Sequence, residues 1–228
     1  MATESGNNAL ASSMTDLMTS LMVIFVLLLV ATLNNTQQEA AETRSKILSE
    51  MQKQLDRELV QYKERGFEVK TDPKDPLGLI VVVPEGLLNF AVNRDEIPPA
   101  GVAFLQQIIP KMAGTVCAQE FRSDMSSIVV EGHSDRTGSD EINLPLSQAR
   151  SMSVVRASLQ ILRNNGSRGC FLDLVSATGR GSVEPMFDGN NQEDAGRSRR
   201  VIFKIRVRSL EQKVVNRTVR SLEPQTTP

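Results

Sequence analysis

A long uncharged segment near the N-terminus constrains this chain most. Residues 14–33 read MTDLMTSLMVIFVLLLVATL, with no charged side chain from Leu17 to Leu33. Extended back to Leu10, a helix of about 24 residues would measure about 36 Å and could cross a hydrocarbon layer of about 30 Å. A cleaved signal peptide would begin with basic residues, but residues 1–15 contain no Lys or Arg. We therefore predict one uncleaved transmembrane helix over 14–33, after a short N-terminal stretch, 1–13.

Asp16 lies at the start of this segment. An ionised carboxylate that enters hydrocarbon costs about 3 kcal/mol or more unless it finds a partner or a proton, so such residues usually serve a function. By position alone, Asp16 could also be a helix N-cap at the level of the lipid headgroups. The stretch DLMTSLMVIFV from Asp16 to Val26 resembles the transmembrane signature of MotB-family stator subunits. The resemblance implies that Asp16 carries H⁺ or Na⁺.

Composition and cysteine spacing exclude several other classes of protein. Lys and Arg total 26 against 27 Asp and Glu, Trp is absent and aromatic residues make up 4%, which argues against a nucleic-acid surface. Cys117 and Cys170 have no second thiol nearby, so neither a CxxC redox motif nor a zinc site is predicted. They are either two small buried side chains in a reducing compartment or a disulfide in an oxidising one.

The segment after the apolar helix is polar and predicts a helical linker over 34–76. Its apolar residues recur at spacings of three and four: Leu48, Met51, Leu55, Leu59 and Tyr62. So narrow a stripe favours pairing with a second helix, and hence a homodimer, over docking on a large core; a solvated stalk is the alternative. Pro73 and Pro76 break any helix and predict a domain boundary at 72–76.

The remaining pattern predicts an α/β sandwich over 77–208, followed by a tail, 209–228. Apolar, β-branched runs predict four strands, and helical spacing predicts two helices between them. The strands are 77–83, 127–130, 172–177 and 201–207, and the helices are 99–113 and 146–163. The order is βαβαββ, and the whole chain is of the α+β class, with a single N-terminal transmembrane helix.

The residues with the clearest binding chemistry follow the second predicted strand. Asp135 could hold an ammonium group, Arg150 could bind a carboxylate with two hydrogen bonds, and Asn143 could do either, which suits a zwitterionic ligand. Asp135 and Asn143 are also good turn and N-cap residues. Truncation of Asp135 in a loop or of Arg150 on a helix surface should leave the fold intact.

No enzymatic or metal chemistry is predicted. His133 is the only histidine and has no second His or Cys near it in sequence, so we expect a structural role at the end of a strand. Neither a Ser-His-Asp set nor a carboxylate pair for hydrolysis stands out. We expect no cofactor.

The motifs of this region resemble the OmpA-type peptidoglycan-binding domain. They are GHSDRTG from Gly132, then Asn143 with LSQAR from Leu146, then GRG from Gly179, and RRV from Arg199. The resemblance implies that Asp135 holds the amine of diaminopimelate in a peptidoglycan stem peptide and that Arg150 holds its carboxylate. The residues implied to line the pocket are Thr137, Gly138, Asn143 and Arg199. The family's asparagine before RRV is Ser198 here, which puts the role of that position in doubt.

A wall-binding domain implies a location for each part of the chain. The distal domain would lie in the bacterial periplasm and the N-terminus in the cytoplasm, with the helix in the inner membrane. The oxidising periplasm would then favour a disulfide between Cys117 and Cys170.

Together the two resemblances correspond to the MotB architecture of an ion-driven motor. This implies a homodimer whose two Asp16 carboxylates lie inside a pentamer of MotA-like (ZorA-type) multi-span membrane subunits. Flagellar MotB stators and the ZorB subunits of Zorya anti-phage defence share both halves. The short chain, the lack of a basic tail before Asp16 and the single aromatic residue of the helix, Phe25, favour ZorB. A flagellar MotB and a passive peptidoglycan-binding envelope anchor are the alternatives.

Overall fold

The chain forms a long N-terminal helix and a mixed α/β domain. The computed structural model describes the backbone of residues 3–209 and the side chains of residues 17–35, 37–38 and 41–209. Helix α1 spans Thr3–Glu58. The chain divides into two compact units, the first ending at Arg44 and the second beginning at Ser45. The predicted α+β class and the N-terminal apolar helix are both confirmed.

The first unit is the N-terminal part of α1. Within it, Leu17–Asn35 has a mean hydropathy of 2.4, and none of its side chains is buried. A helix that is apolar on every face and unburied in its own chain is typical of a membrane span. Thr32 donates a hydrogen bond from Oγ1 to the carbonyl of Leu29 over 2.9 Å, so its hydroxyl is satisfied within the helix. Asp16 belongs to α1, and its side chain lies outside the described residues.

The second unit is built on one five-stranded sheet. The strands are β1 Glu68–Thr71, β2 Gly78–Pro84, β3 Met125–His133, β4 Val175–Gly179 and β5 Arg200–Val207. Their order in the sheet is β1-β2-β5-β3-β4. β3 and β4 are parallel, and the other pairs are antiparallel. The helices after the 3₁₀ turn Val60–Arg65 are α2 Glu85–Leu88, α3 Pro99–Val116, α4 Gln119–Arg122, α5 Asp140–Ile161, α6 Arg168–Leu174 and α7 Ala195–Ser198.

The core lies between the sheet and its helices. Alternate residues of β2 point into it, so Leu79, Val81 and Val83 are fully buried in the apolar cluster that also contains Phe203 of β5. This period of two is what a strand with one covered face requires. α5 packs on β3 and β4, and α3 packs on α5, giving a two-layer domain. From β2 onward the main elements follow the predicted βαβαββ order, and β1 is a further strand that was not predicted.

The apolar stripe of the predicted linker packs within its own chain, which corrects the expected pairing with a second helix and the alternative of a solvated stalk. Met51 and Leu55 are 0% exposed and belong to the core of the second unit. The ring of Tyr62 meets that of Phe104 edge-on at 5.2 Å, and the Nζ of Lys111 donates to the carbonyl of Glu58 over 3.0 Å. The stripe is narrow because the end of α1 covers the side of an existing core.

The proline-containing segment 72–76 is the turn of a hairpin, so the predicted domain boundary there is wrong. β1 pairs with β2, and the amide of Asp72 donates to the carbonyl of Gly78 over 2.9 Å. The carboxylate of Asp72 accepts the amide of Lys74, and that of Asp75 accepts the amide of Leu77, which fixes the turn. The prolines therefore reverse the chain inside the domain.

The predicted strand over 172–177 begins three residues too early. Residues up to Leu174 form α6, whose Cys170 and Phe171 are buried, and pairing with β3 begins only at Val175. A short apolar run cannot be assigned to helix or strand from its pattern alone.

Cys170 is joined by a disulfide to Cys117, the C-cap residue of α3, at a sequence separation of 53.

Candidate functional site

An open cleft of about 720 Å³ lies where the ends of β2, β3 and β5 meet the start of α5. It brings together five of the six residues proposed from the sequence to bind the ligand. They are Asp135, Thr137, Asn143, Arg150 and Arg199. The antiparallel pairing of Pro84 with Arg200, and of His133 with Arg200, places these chain ends side by side.

The loop after β3 is held in shape by its own side chains. Asp135 accepts the amide of Thr137 through Oδ1 over 2.9 Å, and Asn143 donates from Nδ2 to the carbonyls of Asp135 and Thr137 over 3.3 and 3.1 Å. Gly138 has a φ of 90°, which a residue with a side chain rarely adopts, so its contribution is the turn. It is not among the residues that line the cleft. The loop is thus preorganised by Asn143 from the first turn of α5.

Close packing also joins α5 to the sheet beneath the cleft. A Cβ added to Gly132 would lie 2.1 Å from the carbonyl oxygen of Ser147, so only glycine allows this approach. The hydroxyl of Ser147 accepts the amide of Gly181 over 2.9 Å, and Gln148 accepts the amide of Gly179 through Oε1 over 2.6 Å. Through these contacts the GH, LS and GRG motifs together form the junction between α5 and the sheet.

Four charged side chains form an alternating row across the cleft. Arg150 lies with Nη1 3.6 Å from Oε1 of Glu85, Arg199 donates from Nε to Oε2 of Glu85, and Arg199 contacts Oδ2 of Asp135 through Nη1 over 2.5 Å. The row of two carboxylates and two guanidinium groups has no net charge. It offers both signs of charge within one cleft, which suits a ligand with an ammonium and a carboxylate group.

Asp135 is held in its ionised form. Burial alone would raise the pKa of its carboxyl, but the hydrogen bonds from Arg199 and Thr137 outweigh this and hold the pKa below its usual value. A carboxylate has about four lone-pair positions, so Asp135 keeps room for a further donor.

Arg150 is a buried arginine, which corrects its expected place on the helix surface. It is 7% exposed, and it donates from Nε to the carbonyl of Arg94 and from Nη2 to the carbonyl of Ala91 over 2.9 and 3.1 Å. Its guanidinium lies over the ring of Phe90, 4.9 Å from the centroid. Burial lowers the pKa of Arg150, and the carboxylate of Glu85 opposes this. Its Nη1 faces Oε1 of Glu85 at 3.6 Å.

Part of this chain is similar to known proteins. Residues 89–199 match the OmpA family. Because of this similarity, we refer to the second unit of the chain, which contains these residues, as the OmpA-like domain. Outer membrane protein P5 of Haemophilus influenzae is 29% identical over 110 residues, which are 48% of this chain and 27% of P5. The chain thus matches only about a quarter of the length of this relative.

Two solved structures are similar in fold. A putative MotB-like protein of Desulfovibrio vulgaris is 20% identical, with a TM-score of 0.50, over 76% of this chain and 97% of that one. The periplasmic domain of Helicobacter pylori MotB (residues 90–256) is 19% identical, with a TM-score of 0.48, over 70% and 91% of the two chains. The similarity to the Desulfovibrio vulgaris structure agrees with the α/β fold that was expected for this domain from its sequence.

Among the cleft residues that sequence reasoning missed, Glu85 and Phe90 both contact Arg150. Both follow β2, about 50 residues before the motif loop, and no local pattern marks them. They reach the cleft because β2 pairs with β5, and the amide of Glu85 donates to the carbonyl of Arg199 over 3.1 Å. Only knowledge of that long-range pairing would have identified them.

Two other residues of the sequence motifs, Ser198 and His133, are buried. Ser198, the residue before RRV, is 0% exposed and accepts the amide of Met186 through Oγ over 2.9 Å, so it holds a loop. His133 is 2% exposed at the end of β3, and burial lowers its pKa. Among the side chains that the structure describes, no three of His, Cys, Asp or Glu lie together as a metal site would require.

Proposed function

We propose that the OmpA-like domain binds peptidoglycan through this cleft. The alternating row of Arg150, Glu85, Arg199 and Asp135 carries the proposal, because it presents both signs of charge at fixed positions. In a cell wall that contains diaminopimelate, this residue is part of the stem peptide. Its side chain ends in a carbon that carries both an ammonium and a carboxylate group. A neutral row of charges fits that zwitterion better than it fits a simple anion or cation.

Each part of the cleft has a role in this proposal. Asp135 accepts the ammonium group, since its carboxylate is ionised and open to a further donor. Arg150 and Arg199 donate to the carboxylate, while Thr137, Gly138 and Asn143 fix the loop that carries Asp135. The domain has no proposed catalytic step.

Binding to purified sacculi tests this function. The full-length chain in detergent should sediment with sacculi that contain diaminopimelate. Asp135→Ala should abolish this and leave the domain folded, with a loss of about 1–3 kcal/mol in the free energy of unfolding because Thr137 and Arg199 lose an acceptor. Asp173→Ala, which removes an exposed aspartate of α6, is the matched control and should bind normally. Full retention of binding by Asp135→Ala would place the ligand site elsewhere.

We further propose that the chain is the wall-anchored subunit of an ion-driven, MotA/MotB-type rotary motor. The support is a helix with an unburied apolar stretch, Leu17–Asn35, that follows directly on Asp16. In this proposal the chain spans the inner membrane once, with the OmpA-like domain in the periplasm. Two copies place their Asp16 carboxylates inside a pentamer of MotA-like (ZorA-type) subunits, and ion binding and release at Asp16 drive rotation.

Among such motors we favour ZorB of the Zorya anti-phage system over a flagellar MotB. Phe25 is the sole aromatic residue of Leu17–Asn35, and this is the feature of the helix that supports the choice. Deletion of the gene should then lower protection against phage and leave motility intact. Loss of swimming with unchanged phage sensitivity would identify a flagellar stator, and purification of the chain without any multi-span subunit would favour a passive envelope anchor.

A further inference from the structure

Glu85 lies at the centre of the row of charges. One oxygen of its carboxylate faces Arg150 at 3.6 Å, and the other accepts the Nε of Arg199. We propose that Glu85 is a positioning residue that lets Asp135 exchange Arg199 for the ammonium group of a ligand. This inference rests on the proposed peptidoglycan function and adds to it the step by which the free cleft opens to its ligand.

The backbone around Glu85 fixes its place. Glu85 directly follows β2, whose last residue, Pro84, pairs with Arg200 of β5. The amide of Glu85 donates to the carbonyl of Arg199 over 3.1 Å, so the two residues are joined through both backbone and side chain. The side chain of Glu85 is 18% exposed and that of Arg199 is 37% exposed. Glu85 is therefore the fixed partner, and Arg199 is the more accessible one.

In the free cleft, Arg199 occupies a position that the ligand needs. Its Nη1 lies 2.5 Å from Oδ2 of Asp135, while the other oxygen of Asp135 accepts the amide of Thr137. An ammonium group that approaches Asp135 must therefore displace Arg199 or share Oδ2 with it. A cation that has lost its carboxylate partner in a half-buried cleft is costly.

Glu85 removes most of that cost. If Arg199 leaves Asp135, its Nε can remain on Oε2 of Glu85, and its released Nη1 can turn to the carboxylate of the ligand. Without the negative charge of Glu85, Arg199 would keep Asp135 as its carboxylate partner and compete with the ammonium group. In this exchange Glu85 affects the ligand through Arg199 and makes no contact with the ligand itself.

The alternative is that Glu85 only stabilises the fold at the start of α2. A structural role would weaken every ligand by the same factor, whereas the exchange affects only a ligand that carries the ammonium group. Two probes separate these cases. They are the tripeptide L-Ala-D-γ-Glu-meso-diaminopimelate and the same peptide with the side-chain amine acetylated.

The experiment measures the affinity of both probes for the full-length chain in detergent by calorimetry. Glu85→Gln should weaken binding of the free tripeptide about tenfold, a change of about 1.4 kcal/mol, and change that of the acetylated peptide by less than about twofold. Glu85→Asp, which keeps the charge, should recover part of the affinity. Glu120→Gln, an exposed glutamate of α4, is the matched control and should bind like the wild type.

A second set of variants, made in a chain that carries Arg199→Gln, tests whether Glu85 acts through Arg199. In an Arg199→Gln chain, the further change Glu85→Gln should have little effect, because the competing cation is already gone. Equal weakening of both probes by Glu85→Gln, or the same loss with and without Arg199, would overturn the inference. If the wild type binds the tripeptide and Glu85→Gln binds it equally well, the inference fails and the proposed function stands. If the wild type binds neither the tripeptide nor sacculi, the proposed function itself fails.

Discussion

Arg150 donates a hydrogen bond from Nε to the backbone carbonyl of Arg94 over 2.9 Å, across 56 positions of sequence. With the second bond to Ala91, this ties α5 to the segment that follows α2. We expect Arg150→Ala to lower the free energy of unfolding by about 1–3 kcal/mol, because the two hydrogen bonds of a buried guanidinium and its contact with the ring of Phe90 are lost. Chemical denaturation of the full-length chain, followed by circular dichroism, measures this.

The matched control for Arg150 is Arg163→Ala, because Arg163 is an exposed arginine just beyond α5. Its truncation should change the free energy of unfolding by less than about 0.5 kcal/mol. Equal stability of Arg150→Ala and the wild type would show that the guanidinium is not needed to hold the segment after α2.

The apolar stripe at the end of α1 shows what the spacing of apolar residues can and cannot predict. The spacing of Leu48, Met51 and Leu55 predicted a helix with one apolar side, and the structure has that helix. Periodicity gives the buried side of a helix but not the surface that covers it, which here is the chain's own core. The hairpin turn at 72–76 was not predicted because β1, the first strand of the hairpin, is short and polar. Val69 is its single buried residue, so β1 has no apolar pattern that indicates a strand.

The site was better predicted than its surroundings, because its residues lie in compact local motifs. Asp135 and Asn143 belong to one strand–loop–helix unit, so their proximity follows from short spacings. Glu85 joins them only through the pairing of β2 with β5, which no local pattern shows. The burial of Arg150 could not be foreseen either, because it depends on carbonyls 56 and 59 positions away.

Truncation of the stripe should destabilise the OmpA-like domain itself. Leu55 is 0% exposed, so we expect Leu55→Ala to lower the free energy of unfolding by about 2–5 kcal/mol through lost burial and a residual cavity. Val60→Ala is the control, because Val60 is 59% exposed. The loss of Tm should not depend on protein concentration, as it would if Leu55 packed against a second chain.

Acid should weaken the attachment of the loop that follows β4. Glu184 accepts Lys74 at 2.8 Å and Arg180 at 3.0 Å; burial opposes ionisation, but these bonds lower its pKa to about 2. The folded pKa lies below the unfolded value of about 4.3, so the stabilisation is present above about pH 4.3 and is lost as the pH falls toward 2.

Denaturation curves between pH 6 and pH 2.5 check the effect of Glu184. Glu184→Gln should reduce the stability at pH 6 and flatten its fall over the acidic range, relative to the wild type. Glu120→Gln, which removes an exposed charge, should keep the slope of the wild type. An unchanged slope in Glu184→Gln would mean that other carboxylates cause the acid loss.

The disulfide between Cys117 and Cys170 should stabilise the domain. It closes a loop with a sequence separation of 53, which predicts a contribution of about 2–4 kcal/mol. Reductant should therefore lower the Tm of the wild type and leave that of the Cys117→Ser/Cys170→Ser variant unchanged. Mass spectrometry of protein taken from cells should find both thiols oxidised, and two free thiols would contradict the proposed periplasmic location.

Asp16→Asn should stop the motor and leave the complex assembled. The amide nearly matches the carboxylate in size, but it cannot take up and release a proton, and insertion becomes easier without the cost of a charge. Asp16→Glu keeps a titrating group and moves it by one methylene, so partial activity is expected if transfer depends on position.

The measurement pairs biological output with recovery of the partner complex. Phage protection and motility are assayed in cells that carry each Asp16 variant, and the chain is purified with any multi-span subunits. Loss of output with full recovery of the complex separates ion transfer from assembly, since a failure to assemble would remove both. Sacculus binding by the OmpA-like domain should be unchanged in every Asp16 variant, because the cleft has its own charged residues. Full output from Asp16→Asn would make Asp16 a helix cap and the chain a passive wall anchor.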